Sequence, residues 1–173
     1  HQDAKQRIYW LAAYDSITAY MIGNENESYF GEGEENFSNI FRYQRTYKGG
    51  SNFGMISTNR FLKGGGSDNL FGLTATYRAK EKYSFSLEAY KNFTEEPETN
   101  WIEEDTSIAN KTVALDGETL QGDAFNFWVE RNTQNWNSSL YYNHKSPNYR
   151  APLGFTVQTS VRELGFEHGY THF

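Results

Sequence analysis

The residues best suited to chemistry in this chain are four histidines and a set of crowded carboxylates. His168 and His172 stand four apart, a spacing that sets two imidazoles side by side on a helix. On a strand the same spacing leaves them on one face but about 13 Å apart, too far to share a metal. His144 is isolated, and His1 reads as an exposed chain end rather than a ligand. Glu34-Glu35 and Glu103-Glu104 are adjacent acids in polar surroundings. Acid–base catalysis instead needs two carboxyls held in a cleft with separated pKa values. No Ser occupies a G-x-S-x-G elbow. "GEGEEN" and "KGGGSDN" lack the third glycine of a dinucleotide fingerprint and the Lys-Ser/Thr of a phosphate-binding loop. With no cysteine, disulfides and thiolate sites are excluded. The residues therefore assign no catalytic set, no cofactor and no metal centre.

What the chain does show is alternation. In "FRYQRTYKGGSNFGMISTNRF", residues 41 to 61, two runs flank Gly49-Gly50, and Phe41, Tyr43 and Tyr47 alternate with Arg42, Gln44 and Thr46. That pattern predicts a β-hairpin with one apolar and one polar face. The composition agrees: hydrophobic residues make up 37%, mean hydropathy is -0.80, yet aromatics reach 17%. Apolar material concentrated in rings suits strands better than helical stripes. Strands are expected over 5–13, 16–23, 37–47, 52–61, 69–78, 83–93, 122–131, 136–143 and 159–170. Most are long enough to cross a bilayer when tilted. No apolar run approaches the length of a membrane-spanning helix, which leaves strand-built membrane proteins open.

The connections alternate in length. Short turns are expected at Tyr14-Asp15, Lys48–Ser51, Ala79–Lys82 and Asn132–Asn135, and long links at 24–36, 62–68, 94–121 and 144–158. Tight turns at one end and long loops at the other characterise up-and-down outer-membrane barrels. Tyr14, Tyr47, Tyr77, Tyr83 and Trp136 lie near the short turns, where amphipathic rings form an interfacial girdle. Cross-strand ring pairing in a soluble sheet is the alternative. Of the 22 acids, 13 fall in the first and third long links: Glu25, Glu27, Glu32, Glu34, Glu35, and Glu95, Glu96, Glu98, Glu103, Glu104, Asp105, Asp116, Glu118. Lys111 is the one cation there. The plain reading is solvated loop surface. The sharper one is divalent-cation binding, at lipopolysaccharide phosphates or to order the loops, although no EF-hand spacing is present.

By parity, Arg42, Gln44, Thr58, Arg60, Thr74, Arg78, Ser86 and Glu88 share the polar face. In a barrel they would line a wet lumen or neutralise one another in a polar plug. Phe41, Tyr43, Phe53 and Met55 would meet acyl chains, with Arg45 snorkelling from that face to the headgroups. A net charge of -6 excludes nucleic acid as a partner, since phosphate binding needs a basic patch.

Three stretches carry a family resemblance: "NFSNIFRYQRTYKGGSNFGMISTNRF" (36–61), "DNLFGLTATYRAKEKYSFSLEAYKNFT" (68–94) and "GDAFNFWVERNTQNWNSSLYYNHKSPNYRAPLGFTVQTS" (122–160). They resemble a family of outer-membrane barrels from Gram-negative Bacteroidota. Its members typically join a carbohydrate-binding-like module to a C-terminal barrel of unknown function. The Gly154-Phe155 step after "SPNYRAPL" is the most characteristic part. The chain departs from the family where an Arg and then an acid are usual, carrying Gln158 and Ser160. The resemblance implies location and architecture but no active site, and implies that this chain is part of a longer barrel.

The expectation is thus an all-β fold: one domain over 1–173, an antiparallel up-and-down transmembrane β-barrel or a contiguous part of 8–9 strands. An odd count leaves either an eight-stranded barrel, for which Phe173 is a fitting last residue, or further strands. The lumen-facing candidates are Arg42, Gln44, Thr58, Arg60, Arg78 and Glu88. The expected place is the bacterial outer membrane, with its lipid and lipopolysaccharide as partners and the long acidic loops as a docking surface for a protein. The function is a channel, uptake or accessory barrel, with a nutrient or glycan role resting on the family analogy. A structural barrel in an envelope complex and a soluble lipocalin-like barrel are the alternatives.

Overall fold

The computed structural model describes residues 5–104, 106–108, 110–151, 153, 156 and 158–172. Expectations for His1, Asp105, the Gly154-Phe155 step and Phe173 lie outside the described residues. The chain is all-β and antiparallel. In order, its strands are β1 (Lys5–Asp15), β2 (Thr18–Gly23), β3 (Ser28–Gly33), β4 (Asn36–Thr46), β5 (Asn52–Leu62) and β6 (Ser67–Ala79). There follow β7 (Tyr83–Glu95), β8 (Ser107–Ile108), β9 (Lys111–Thr112), β10 (Thr119–Asn132), β11 (Trp136–Lys145) and β12 (Val161–Tyr170). Eight of them form one sheet in the order β1-β4-β5-β6-β7-β10-β11-β12.

This sheet is open. Among the described residues β1 and β12 are its two edges, so a closed barrel is not what the chain forms, and the expected nine strands become eight plus a hairpin. The error was at Tyr14-Asp15. The chain does not turn there but leaves the sheet, and β2 pairs with β3 in a hairpin of its own. Strand length explains the difference. All 11 residues of β1 match β4, from Lys5↔Thr46 to Asp15↔Asn36, whereas β2 has only 6 residues. In the hairpin Tyr20 and Ile22 also find a core of their own, with Ile102, Ile108, Val113 and Leu115.

Most other connections keep their two classes, but the expected long link at 62–68 is a tight turn over 63–66, shorter than the 47–51 connection at the opposite end. At one end lie a 3-10 turn over Lys48–Gly50, the Lys80-Glu81 turn and residues 133–135. Gly49 and Gly50 take φ of 80° and 81°, which Gly adopts without strain. At the other end lie the β2–β3 excursion, residues 63–66, 96–118 and 146–160. Tyr14 therefore belongs to the long-loop end, while Tyr47, Tyr77, Tyr83 and Trp136 are at the short-turn end, where Trp136 packs on Tyr170 with ring centroids 4.7 Å apart.

The registers sort every side chain onto one of two faces. One presents Ile8, Trp10, Phe41, Phe53, Met55, Phe71, Leu73, Phe85, Leu87, Leu164 and Phe166, all among the exposed large hydrophobic residues. The opposite face carries every glycine of the eight strands: Gly54, Gly72, Gly122, Gly165 and Gly169. A neighbouring ring fills the space over two of them, Tyr90 at Gly72 and Tyr141 at Gly165. Small residues confined to one face beside large ones mark the crowded, inward side of a curved sheet.

At the long-loop end the polar face is covered. Arg60 and Asp68, cross-strand neighbours on β5 and β6, are each 3% exposed and joined at 2.8 Å. Arg60 Nη1 also donates to the carbonyl of Ala19 at 3.1 Å, and its guanidinium lies 5.0 Å from the centre of the Tyr20 ring. One buried ion pair thereby ties the excursion to the sheet. Removing one partner from such a pair costs about 3–5 kcal/mol, because the other charge stays buried. Arg60→Ala is therefore expected to lower stability by that order, measured by chemical unfolding followed through β-sheet circular dichroism. The double change Arg60→Leu with Asp68→Leu should recover most of the loss.

Candidate ligand cavity at the loop end

The six polar-face candidates do share one face, but they do not form one site. Gln44 and Glu88 occupy the same rung, running Arg7↔Gln44↔Gly54↔Thr74↔Glu88↔Asn126↔Asn143↔Glu163. Arg42 is one rung toward the loops, opposite Ile56, and is exposed. Thr58 follows opposite Ile40, then Arg60 opposite Ser38. Arg78 stands at the short-turn end opposite Ser84, exposed and beside Gly50. Glu88 accepts hydrogen bonds from Tyr90 Oη at 3.3 Å and Asn126 Nδ2 at 3.2 Å. The candidates are thus spread along the polar face, and the side-chain bonds of Arg60 and Glu88 go to other residues.

The histidines do not gather either. His168 bonds Ser138 Oγ at 2.7 Å across the β11–β12 ladder, and His144 pairs with Asp123 at 3.1 Å. His172 lies beyond the end of β12.

Among the described residues, a cavity of about 770 Å³ opens at the loop end. Its walls come from β2, β3, segment 101–104 and segment 149–151, with Tyr20, Tyr29, Trp101, Glu103, Tyr149 and Arg150 as the principal chemical groups. Each wall is held for a local reason. Trp101 lies flat on β3 because Gly33 has no Cβ; one built there would sit 2.3 Å from the indole. The Trp101 ring meets Tyr20 edge-on, centroids 6.1 Å apart. Tyr149 and Arg150 are pressed onto the polar face through Gly122, whose Cβ would lie 2.3 Å from the Asn148 carbonyl oxygen. Arg150 is buried, and its Nη1 donates to the carbonyls of Pro147 at 3.1 Å and Tyr149 at 3.3 Å.

Burial raises the Tyr149 hydroxyl to about 12, with Tyr90 and Glu88 adding to the shift. Burial also lowers the Arg150 guanidinium, while Tyr20, Glu96 and Asp68 oppose that change. The cavity thus offers aromatic faces, neutral phenols, one desolvated cation and exposed acids at Glu103 and Glu104. These groups can bind and orient a polar ligand. They form no nucleophile–base pair. Sequence patterning did not isolate these residues, although a lone Trp101 within an acidic link is a signal, because rings in water-facing loops need a packing partner.

No protein-family model, curated protein or solved structure matches this chain.

The cover over Gly122 can be tested directly. Gly122→Val should displace 146–151 and make that segment cleavable by added protease at least ten times faster. Gly169→Ala, on the same face with nothing within 4 Å of the added carbon, should leave cleavage unchanged.

Proposed function

We propose that this chain is a contiguous eight-stranded section of an antiparallel β-barrel of the bacterial outer membrane, with its polar face toward a loop-capped lumen. The observation that carries this reading is the uncovered apolar face. Between Asn69 and Tyr77 on β6, Phe71, Leu73 and Ala75 are bounded by polar groups on both sides, a path of about 26 Å along the strand. On β10, Phe125, Phe127 and Val129 lie between Asp123 and Arg131 in the same way. Such a band has the height of an outer-membrane barrel's lipid belt once tilt is included.

The surface area points the same way. The chain exposes 11047 Å², whereas a folded soluble monomer of 20.0 kDa exposes about 8,700 Å². In a soluble lipocalin-like barrel the apolar face would turn inward. Here the glycines and loop segments crowd the polar face instead.

Within that location the favoured role is a channel, uptake or accessory barrel whose loop-end cavity admits a polar ligand. The family resemblance adds nutrient handling by analogy. A structural barrel of an envelope complex is the second reading, favoured by the exposed acids Glu98, Glu103 and Glu104 on the covering loops.

The test is extraction and reconstitution. The protein should need detergent for extraction and should show heat-modifiable gel mobility; a protein stable and monodisperse in plain buffer would defeat the proposal. Conductance steps in planar bilayers would favour the channel, and a silent bilayer with a stoichiometric co-purifying partner the structural barrel. Leu73→Arg is expected to cost about 2–4 kcal/mol in lipid-reconstituted unfolding if that face meets the bilayer centre. If the face meets water, the change should fall within about 0.5 kcal/mol.

A further inference from the structure

Segment 96–118 contains an arrangement that the cavity and the lipid face do not explain. The backbone N–H of Glu96 donates to the carbonyl of Glu118 at 3.0 Å, extending the β7–β10 ladder one rung beyond Glu95↔Thr119. Glu96 and Glu118 thereby stand directly opposite each other on the polar face, where like charges repel. Asp116 follows two residues before Glu118, across a bend at Gly117 with φ +84°. One carboxylate oxygen from each of Glu96, Asp116 and Glu118 lies within 4.8 Å of the other two.

Burial makes this costly. Glu96 is 2% exposed, and its oxygens make no hydrogen bond of good geometry, the Asp116 backbone N–H being a weak contact to the carboxyl. The second oxygen of Glu118 is also buried and unpartnered, while the first is paired with Lys111 Nζ at 3.1 Å. Asp116 accepts from Thr112 Oγ1 at 3.0 Å and otherwise faces solvent. Arg150 is the other nearby cation, but its Nη1 bonds go to backbone carbonyls. Glu118 is paired with Lys111 and Asp116 meets solvent, whereas the Glu96 carboxyl is buried beside both of them.

We propose that Glu96, Asp116 and Glu118 form a calcium site that fastens segment 96–118 to the end of the β7–β10 ladder. Hard oxygen donors exclude soft metals, and the absence of His and Cys from the set disfavours zinc and copper. Calcium bonds oxygen at about 2.3–2.6 Å, so opposite ligands on one ion stand up to about 5 Å apart. Magnesium, at about 2.1 Å, draws them to within about 4.2 Å and demands an octahedron. Separations within 4.8 Å fall inside the calcium span, and calcium's flexible coordination accepts this irregular donor set where magnesium demands an octahedron. The exposed side of Asp116 leaves room for water ligands and a path of entry. The site stands on the loop geometry and does not depend on the membrane reading.

The test uses the full chain, stripped with a calcium chelator and then titrated with calcium or magnesium chloride. Saturable calcium uptake by calorimetry is expected, with a dissociation constant of about 0.1–1 mM, as in extracellular modules. Calcium should slow proteolysis within 96–118 at least tenfold, and magnesium much less. Asp116→Asn, at an exposed position, should weaken calcium binding tenfold or more without unfolding the protein, and Glu96→Gln should abolish it. The proposal is overturned if calcium shows no saturable uptake, or if Asp116→Asn binds as tightly as the parent. It is equally overturned if calcium protects nothing and Glu96→Gln leaves proteolysis unchanged, because a neutral carboxyl then suffices at position 96.

Discussion

Everything in this fold depends on the period of two along its strands. A residue's parity decides whether its side chain joins the polar face, covered by loops at one end, or the exposed apolar face, and a slip of one residue would exchange the faces entirely. The long registers resist such a slip. In the β4–β5 hairpin, Arg60 meets Asp68 of the next strand on one face while Phe53 lies beside Ala75 on the other. Shifting β5 against β6 by one residue would bury Phe61 beside Asp68 and send Arg60 among the exposed rings. The buried ion pair and the apolar face therefore specify the same register from opposite sides of the sheet.

The excursion after β1 shows how the covering loops draw on the same constraint. Thr159 Oγ1 donates to the carbonyl of Gly23 at 2.6 Å, and Gln158 Nε2 to the carbonyl of Glu25 at 2.7 Å. The segment entering one edge strand thus bonds the segment leaving the other. Segments next to opposite edges of an eight-stranded sheet can touch only if the sheet curves, and the glycines select the direction. Their absence from the apolar face means that rings there diverge, while the polar side accepts Tyr90 and Tyr149 against bare backbone.

Alternation made the faces legible in the sequence. Arg42, Gln44, Thr58, Arg60, Arg78 and Glu88 share a side because parity needs no knowledge of partners. Strand pairing was less accessible. "TAYMIG" has strand propensity and follows β1 closely, so nothing local distinguishes a sheet neighbour from an excursion. β3 was hidden because "SYFGEG" mixes two glycines and a Glu into a strand that pairs on one side only. The cavity was harder still. Tyr20 comes from β2 and Trp101 and Tyr149 from two separate links, and only the tertiary fold brings them together. Glu96 looked like one loop acid among 13, yet a single added rung of ladder buried it.

The two edges of the sheet carry the remaining physical demand. The polar face of β1 begins with Lys5 and Arg7, whereas that of β12 carries Glu163 and Glu167. Both edges also present large exposed rings or aliphatics on the apolar side, Trp10 at 72% and Leu164 at 72%. Unpaired strands of 11 and 10 residues are templates for further pairing, and neither carries the proline that usually blunts an edge. A strand added to β12 would meet acids on the polar side, and one added to β1 would meet bases. These edges are complementary in charge, and each matches a copy of itself in sign, which biases against pairing like edge with like edge.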